Sequence, residues 1–526
     1  MQKYFKNIGS DLPSALVVFL IAIPLCLGIA VASGLPEFTG IIAGVVGGIV
    51  VGMISGSNLS VSGPAAGLTA IVAAAVIKLP AVEAFFLAVV IAGVFQILMG
   101  IFKLGIIGDY IPNSVIKGML AAIGIILILK QLPHLVGYDK DFEGDETFIQ
   151  VSGENTFSAV LNSLNHITPL ALLIGIIGIA ILIGYESKFI KSKKIFQLLS
   201  GPLVVVIMGV VLHYFLSDIP SILSIKDTDL VNIPVANSAK EFISFFHLPN
   251  WSFITNKDVW ITAVTLALVA SLETLLGLEA VDKLDPFQRF SPPNRELIAQ
   301  GCGNIVSGVL GGLPLTSVIV RSSANVNSGA KTKMSAIIHG LLIFVCVAFL
   351  PGVLNLIPKS ALAAVLIFTG YKLTKISIFK AYYKDGWGQF MPFLITILAI
   401  VMTDLLKGVL IGLVVGIFFI IRGNFRTAIF TAVDNNNYLV RLRKDISFFS
   451  KARLKNIFEN IPENASVIID LTKAEFIDKD IIDTINEFKT NAVTKNITVS
   501  VKKSVYNESH KMVEKDSQEM NDDRAH

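Results

Sequence analysis

Apolar runs long enough to cross the hydrocarbon of a bilayer, about 17 to 24 residues at their fullest, follow one another from residue 12 to residue 421. A chain built this way has little choice of solvent. With 53% hydrophobic and 16% charged residues and a mean hydropathy of +0.70, it lacks the polar surface that a soluble protein of 526 residues needs. The expected class is an all-α polytopic membrane protein with 14 transmembrane segments, at 12–32, 37–55, 64–78, 83–102, 114–132, 168–185, 198–216, 259–281, 295–311, 315–328, 334–352, 359–373, 389–406 and 408–422. The third, tenth and twelfth are the weakest by hydropathy. The first run carries Pro13 and Pro24 and is followed at once by other spans, so it is read as a retained helix and not a cleaved leader.

Charge sets the orientation. Lys188, Lys191, Lys193 and Lys194 follow the sixth segment, and Lys283, Arg289 and Arg295 follow the eighth. Lys372, Lys375, Lys380 and Lys384 follow the twelfth, and Arg422 and Arg426 the last. With the N-terminus inside, all of these clusters are cytoplasmic, as the positive-inside bias requires. The acidic loop 137–148 and the polar loop 217–257 then lie outside. This predicts a multi-pass protein of the cell's inner (plasma) membrane with both termini in the cytoplasm. A formal charge of +4 carries no nucleic-acid signal. Cys26, Cys302 and Cys346 all sit in apolar stretches, and the seven histidines are scattered, so neither a disulfide framework nor a metal site is expected. No enzyme signature stands in a plausible context.

After Arg426 the pattern changes. Residues 437–444 alternate like a strand, 452–461 place Leu454, Ile457, Phe458 and Ile461 on one helical face, and 466–471 read as a buried strand. An amphipathic helix at 480–488 and a strand at 497–501 complete a small α/β domain. The expected division is a transmembrane domain at 1–430, this domain at 437–510, and a polar, disordered tail at 511–526.

Two pairs of segments echo each other across the halves. "PLCLGIAV" (24–31) aligns with "ETLLGLEA" (273–280), which sets Pro24 opposite Glu273. "SGPAAGLTAIV" (62–72) and "GGLPLTSVIV" (311–320) share Gly, Pro and Thr at nearly the same offsets. Proline- or glycine-interrupted segments in corresponding places point to a transporter built from two inverted repeats, with a site where broken helices meet near the midplane. Half-helices that begin inside the membrane aim unpaired N–H groups at the cavity and so favour anions. Pro64 and Pro314 suit the start of such helices; Thr69, Thr316 and Ser317 add hydroxyls, and Arg321 a full charge. Glu273 is the complement. A carboxylate in hydrocarbon is protonated, paired or holding a cation. H⁺ or Na⁺ on Glu273 would let an anion bind nearby, and its loss would repel one. The alternatives are a static Glu273–Arg321 ion pair and, for Arg321, an anchor at the cytoplasmic end of a short helix. Glu279 and Asp282 read as gate or loop residues.

The stretches "DLPSALVVFLIAIPLCLGIAVASGL", "GSNLSVSGPAAGLTAIV", "SLETLLGLEAVDKLDP" and "VIVRSSANVNSGAKT" resemble the SulP family of inorganic anion transporters, and the C-terminal segment resembles that family's STAS domain. The resemblance implies the uracil-permease-like fold, a 7+7 inverted repeat divided into core and gate domains that move in an elevator-like way, and a homodimer. It implies secondary active transport of a small inorganic oxyanion, sulfate or bicarbonate, by cation-coupled (Na⁺ or H⁺) symport, with no other cofactor. By position, Glu273 matches the family's coupling residue. Ala65, Ala66 and Thr69 match the opening of its third helix, Val318, Ile319, Val320 and Arg321 the opening of its tenth, and Pro24, Leu25 and Ile29 the first-helix wall of the anion site. Leu25 and Ile29 stand where many sulfate-type members have a Gln and an aromatic, and several have Ser at Val318 or Val320. Gly277 stands where a sodium-coupled, bicarbonate-carrying member has a Thr that helps bind the ion. Lys479 and Asp480 occupy the turn where related anti-sigma-factor antagonists carry a phosphorylatable Ser, so the STAS-like domain is read as a dimer contact or gate modulator. Rival readings are an uncoupled anion channel or exchanger and a nucleobase:cation symporter of the same fold.

Overall fold

The computed structural model describes residues 7–141, 147–150, 152–187, 201–216, 229–236, 238–427, 429–443, 446–474 and 476–503. The lysine cluster at 188–194, most of the acidic stretch of loop 137–148 and the tail 511–526 lie outside the described residues. The apolar runs become helices almost where hydropathy places them. Helix α1 (Ile8–Ala32) passes through both Pro13 and Pro24 without a break. Each proline removes one hydrogen bond, and neighbouring helices bury most of α1, which is how a membrane helix tolerates the loss. Helix α2 (Glu37–Val46) continues through a π turn at Gly47–Val51 to Ile54. Then comes an element hydropathy did not foresee, the strand β1 (Ser62–Pro64), followed by a 3₁₀ turn (Ala66–Leu68) and helix α3 (Thr69–Lys78). Helices α4 (Val82–Ile101), α5 (Asn113–Leu135), α6 (Pro169–Tyr185) and α7 (Gly201–Leu216) close the first half.

The second half repeats the plan with α8 (Lys257–Leu284), α9 (Pro293–Leu310), strand β2 (Leu315–Ser317), α10 (Ile319–Asn327), α11 (Met334–Phe349) and α12 (Lys359–Leu373). After α13 (Ile376–Lys384) come α14 (Trp387–Met402) and α15 (Leu405–Thr427). Among the described residues six helices are long and apolar enough to cross a membrane, and several shorter apolar ones accompany them. Pro24 lies 16 residues beyond Ile8 and Glu273 lies 16 beyond Lys257, so the two occupy the same place in α1 and α8. Only the other repeated pair is interrupted. Helix α3 has 10 residues and α10 has 9, about 15 Å and 14 Å at 1.5 Å per residue, half the hydrocarbon thickness.

These helices form two groups. In one, α4 packs along α9 and α8, α1 packs on α2 and α11, and α10 lies against α1. In the other, α5 packs on α12 and α14, and α6 on α12 and α7. The boundary between them is apolar: Leu25, Leu276, Ile319 and Val320 from the first group share a cluster with Val115, Ala361 and Leu366 from the second.

The chain divides into two compact units near Val414. In the second, β3 (Ile429–Asp434) pairs antiparallel with β4 (Asn437–Arg443), and β4, β5 (Ser466–Lys473) and β6 (Thr498–Lys502) are parallel neighbours. Helices α16 (Lys451–Glu459) and α17 (Lys479–Thr494) supply Leu454, Phe458, Ile481 and Ile485 to the same core as Val467, Ile469 and Leu471. The rings of Phe458 and Phe488 stack at 4.0 Å. The expected strands and helices are all present, and β3 adds a hairpin ahead of residue 437.

Candidate anion and coupling site

Three residues from each half make the frame. Ser62, Gly63 and Pro64 pair antiparallel with Ser317, Thr316 and Leu315. Because the strands run in opposite directions, α3 and α10 leave the pair on opposite courses, and both helix N-termini converge on the middle of the bundle. Pro64 and Pro314 therefore sit in or beside the strands, not in the first helical turns where sequence alone placed them. Pro64 has no N–H to offer its partner Leu315, and a side chain from α9 makes both main-chain bonds instead. Leu315 N–H donates to Asn304 Oδ1 at 2.6 Å, and Asn304 Nδ2 donates to Leu315 O at 3.2 Å.

Asn304 belongs to a polar stripe on α9 that runs behind the strands. Asn304 Nδ2 also donates to Gln96 Oε1 at 2.6 Å, and Gln300 Nε2 donates to Ser62 Oγ at 2.6 Å and to Glu296 Oε1 at 3.0 Å. The Glu296 carboxylate accepts from Ser55 Oγ. Glu296, Gln300, Asn304 and Ser307 are all buried, and the four-residue spacing of the first three, which puts them on one helical face, is the sequence signal for this stripe.

Neither half-helix has a side-chain cap. Ala65, Leu68 and Val318, the residues ahead of the 3₁₀ turn, α3 and α10, make no capping bond. The first-turn amides of α10, from Ile319 to Arg321, have no acceptor within their helix. Ala65, Ile319 and Val320 are buried, and Ala66, Thr69 and Val318 are half-buried. Leu25 and Ile29, one turn apart on α1, are buried beside them.

Glu273 sits at the other edge of this frame. A Cβ on Gly67 would stand 2.9 Å from Glu273 Oε1 and 3.2 Å from Oε2, so the carboxylate lies against the turn that opens α3. The residue is 8% exposed. One turn on, a Cβ on Gly277 would come within 2.6 Å of Ser317 O and 3.2 Å of Ser317 Oγ. Helix α8 thus touches β2 main chain to side-chain-free main chain, and there is no room at 277 for the hydroxyl that a threonine would bring. Ser317 is held by Thr274 Oγ1, which accepts from its N–H at 3.4 Å, and by Ser60 Oγ at 2.7 Å.

Arg321 is fully buried on the far side of β1. Its Nη1 lies where a Cβ of Gly63 would be, and its Nη2 donates to Cys26 Sγ at 3.3 Å. Its Nε and Nη1 have no hydrogen-bond partner among the described residues. That geometry is neither a surface anchor nor a hydrogen-bonded pair with Glu273. Glu279 and Asp282 stand apart: Glu279 is 3.9 Å from Lys283, and Asp282 accepts from Ser291 N–H and Oγ, each at 2.7 Å.

A cavity of about 640 Å³ opens between the two helix groups at the end where α1 begins, and Val17, Ala324 and Val365 are among its lining residues. Ala324 is one turn from Val320, and Val17 is two turns from Leu25 on the same face of α1. Buried Ile21 separates the cavity from Leu25.

Helix ends without caps, a carboxylate at one of them and a cavity leading toward them describe a membrane transporter for a charged solute. The sequence agrees: residues 8–399 match the sulfate permease family, and the chain belongs to it. Its members are transporters and not enzymes. It is 26% identical to YbaR of Bacillus subtilis, a protein named for sulfate transport, over 91% of this chain and 90% of that one. It is also 26% identical to the bicarbonate transporter BicA of Picosynechococcus sp., over 78% and 70% of the two chains. Among solved structures, the transmembrane domain of a cyanobacterial BicA shares the fold with a TM-score of 0.54 at 22% identity, over 78% of this chain and 98% of that one. SLC26A9 does so with 0.63 at 15% identity, over 95% and 84%.

Proposed function

We propose that the protein is a secondary active transporter of a small inorganic oxyanion, sulfate or bicarbonate, coupled to a cation at Glu273. The observation that carries the reading is the pair of uncapped half-helices joined by β1 and β2. The free first-turn amides of α10 and the partial positive charge at both helix starts suit an anion between Ala65–Thr69 and Val318–Val320. Buried Arg321 adds a charge whose cost falls when a negative ion occupies that place. The apolar lining at Leu25, Ile29 and Val320 suits a small ion held by main chain.

Of the two coupling ions we favour the proton. A sodium ion needs several oxygen ligands, and the tight contact at Gly277 leaves no space for one more hydroxyl beside Glu273; a proton needs only the carboxylate. We further read 14 spans in a 7+7 inverted repeat, a dimeric assembly, and cytoplasmic termini in the inner membrane. The C-terminal unit fits a STAS-like modulator. In this reading the group carrying the site slides against the other in an elevator-like motion, along the apolar boundary at Leu25, Leu276 and Val320.

The test is flux into proteoliposomes of labelled bicarbonate or sulfate under imposed H⁺ or Na⁺ gradients. Accumulation driven by a pH gradient supports the reading. Rates indifferent to both cations would replace it with an uncoupled channel or exchanger.

A further inference from the structure

Helix α13 is too short to cross a bilayer and too one-sided to be a loop. Three of its apolar residues, Ile378, Phe379 and Tyr382, pack toward α5 and α14. Phe379 meets Phe393 edge-on at 5.2 Å, Tyr382 stacks on Phe393 at 4.7 Å, and Tyr382 Oη donates to Asn113 O at 3.4 Å. At 100° per residue, Ile376 and Tyr383 flank that face and Lys380 and Lys384 come next round the helix. The flank is open: Ile376 is 72% exposed, Tyr383 63%, and Trp387, which meets the Tyr383 ring edge-on at 6.5 Å, 65%.

Exposed aromatics beside lysines on a short helix are the composition of an element lying in the plane of the membrane surface. The lysines are available for a further partner. Lys372, one helix earlier, is paired with Glu186 at 2.7 Å. Lys375, Lys380 and Lys384 are exposed and form no ion pair among the described residues. The acid next to them in sequence is Asp385. Lys372 and Ser10 line the same cavity, so α13 lies at the end of the bundle where the chain begins.

We propose that α13 is an interfacial helix whose Ile376–Tyr383–Trp387 flank enters the lipid and whose Lys375, Lys380 and Lys384 bind the phosphate groups of an anionic phospholipid. Charge complementarity selects the lipid class, and the aromatic flank fixes the depth at which the lysines meet the headgroups.

Trp387 is a built-in reporter, since the chain has only two other tryptophans, Trp251 and Trp260. The full-length protein with Trp251→Phe and Trp260→Phe is reconstituted in vesicles of phosphatidylcholine with a minority of phosphatidylglycerol. Bromine is placed on one lipid or the other. The expected result is quenching of Trp387 by brominated phosphatidylglycerol equivalent to about five-fold local enrichment, the effect of a single engaged lysine. Lys375→Gln, Lys380→Gln and Lys384→Gln together should abolish the enrichment and leave total quenching unchanged. Equal quenching by both lipids overturns the headgroup site. Absence of quenching by either overturns the interfacial placement, and means that another protein surface, such as a second copy, covers the flank.

Discussion

Glu273→Gln is the sharpest perturbation available, because it removes a charge and keeps the shape. The carboxylate lies against Gly67 in the turn that opens α3, so an anion held between the starts of α3 and α10 would lie within about one 5.4 Å helical turn of it. Two unit charges about 5 Å apart at an effective dielectric near 20 repel by about 3 kcal/mol, roughly a hundredfold in affinity. In wild type, anion affinity should therefore fall by up to that factor as the coupling cation is withdrawn. In Glu273→Gln it should be high and flat. Isothermal titration of the purified protein across cation concentrations measures this, and proteoliposome uptake gives the second arm: the variant should equilibrate labelled anion without concentrating it. A variant that still concentrates anion as wild type does, or keeps the cation dependence of affinity, would refute the coupling role.

Four further outcomes follow from particular contacts. Asn304→Leu leaves the N–H and C=O of Leu315 buried without their partner and should cost about 2 to 4 kcal/mol; an unchanged thermal melting curve would show that Asn304 does not hold β2. Gly277→Ala pushes a methyl group into Ser317 O and should cost about 1 to 3 kcal/mol and weaken anion binding in titration; full affinity would mean that α8 and β2 are not in contact. Arg321→Met keeps the volume and removes a buried charge, so thermal stability should hold or rise while anion affinity drops about tenfold, which is roughly 1.4 kcal/mol. The reverse ranking would make Arg321 a structural residue. In the C-terminal unit, burial pushes the Asp470 carboxyl up, but bonds from Thr472 Oγ1 and Arg441 Nε, each at 2.6 Å, outweigh it and hold the group below the usual carboxylate range. Its stabilisation is present above pH about 4 and lost as pH falls through the depressed value, so Asp470→Asn should flatten the acid limb of that unit's melting profile; an unchanged limb would assign the acid sensitivity elsewhere.

The helices were legible because hydrocarbon thickness imposes length on apolar runs. The run at 37–55 became Glu37–Ile54 and that at 168–185 became Pro169–Tyr185. The charge at Glu273 was legible for the same reason, since it violates its surroundings. What stayed hidden was long-range. Strands β1 and β2 have three residues each, too few for alternation to register, and their pairing partner is in the other half of the chain. The α9 stripe of Glu296, Gln300 and Asn304 carries no local meaning in the sequence, because its polarity has meaning only against the strands it braces. The expectation for Arg321 is a charge facing the cavity, whereas the side chain is buried and turned toward Cys26 behind Gly63, a course that depends on packing no local pattern encodes.

Ser62 and Ser317 are paired yet stand 255 positions apart. During synthesis the first strand must therefore wait, edge exposed, until more than half of the chain has been made and inserted. A ribosomal product released before residue 315 would hold a complete first half and only one strand of the pair, with its hydrogen-bonding edge open. Quality control of this protein should thus hinge on the late arrival of three residues, and separately expressed halves should regain a functional centre only when they meet in the same membrane.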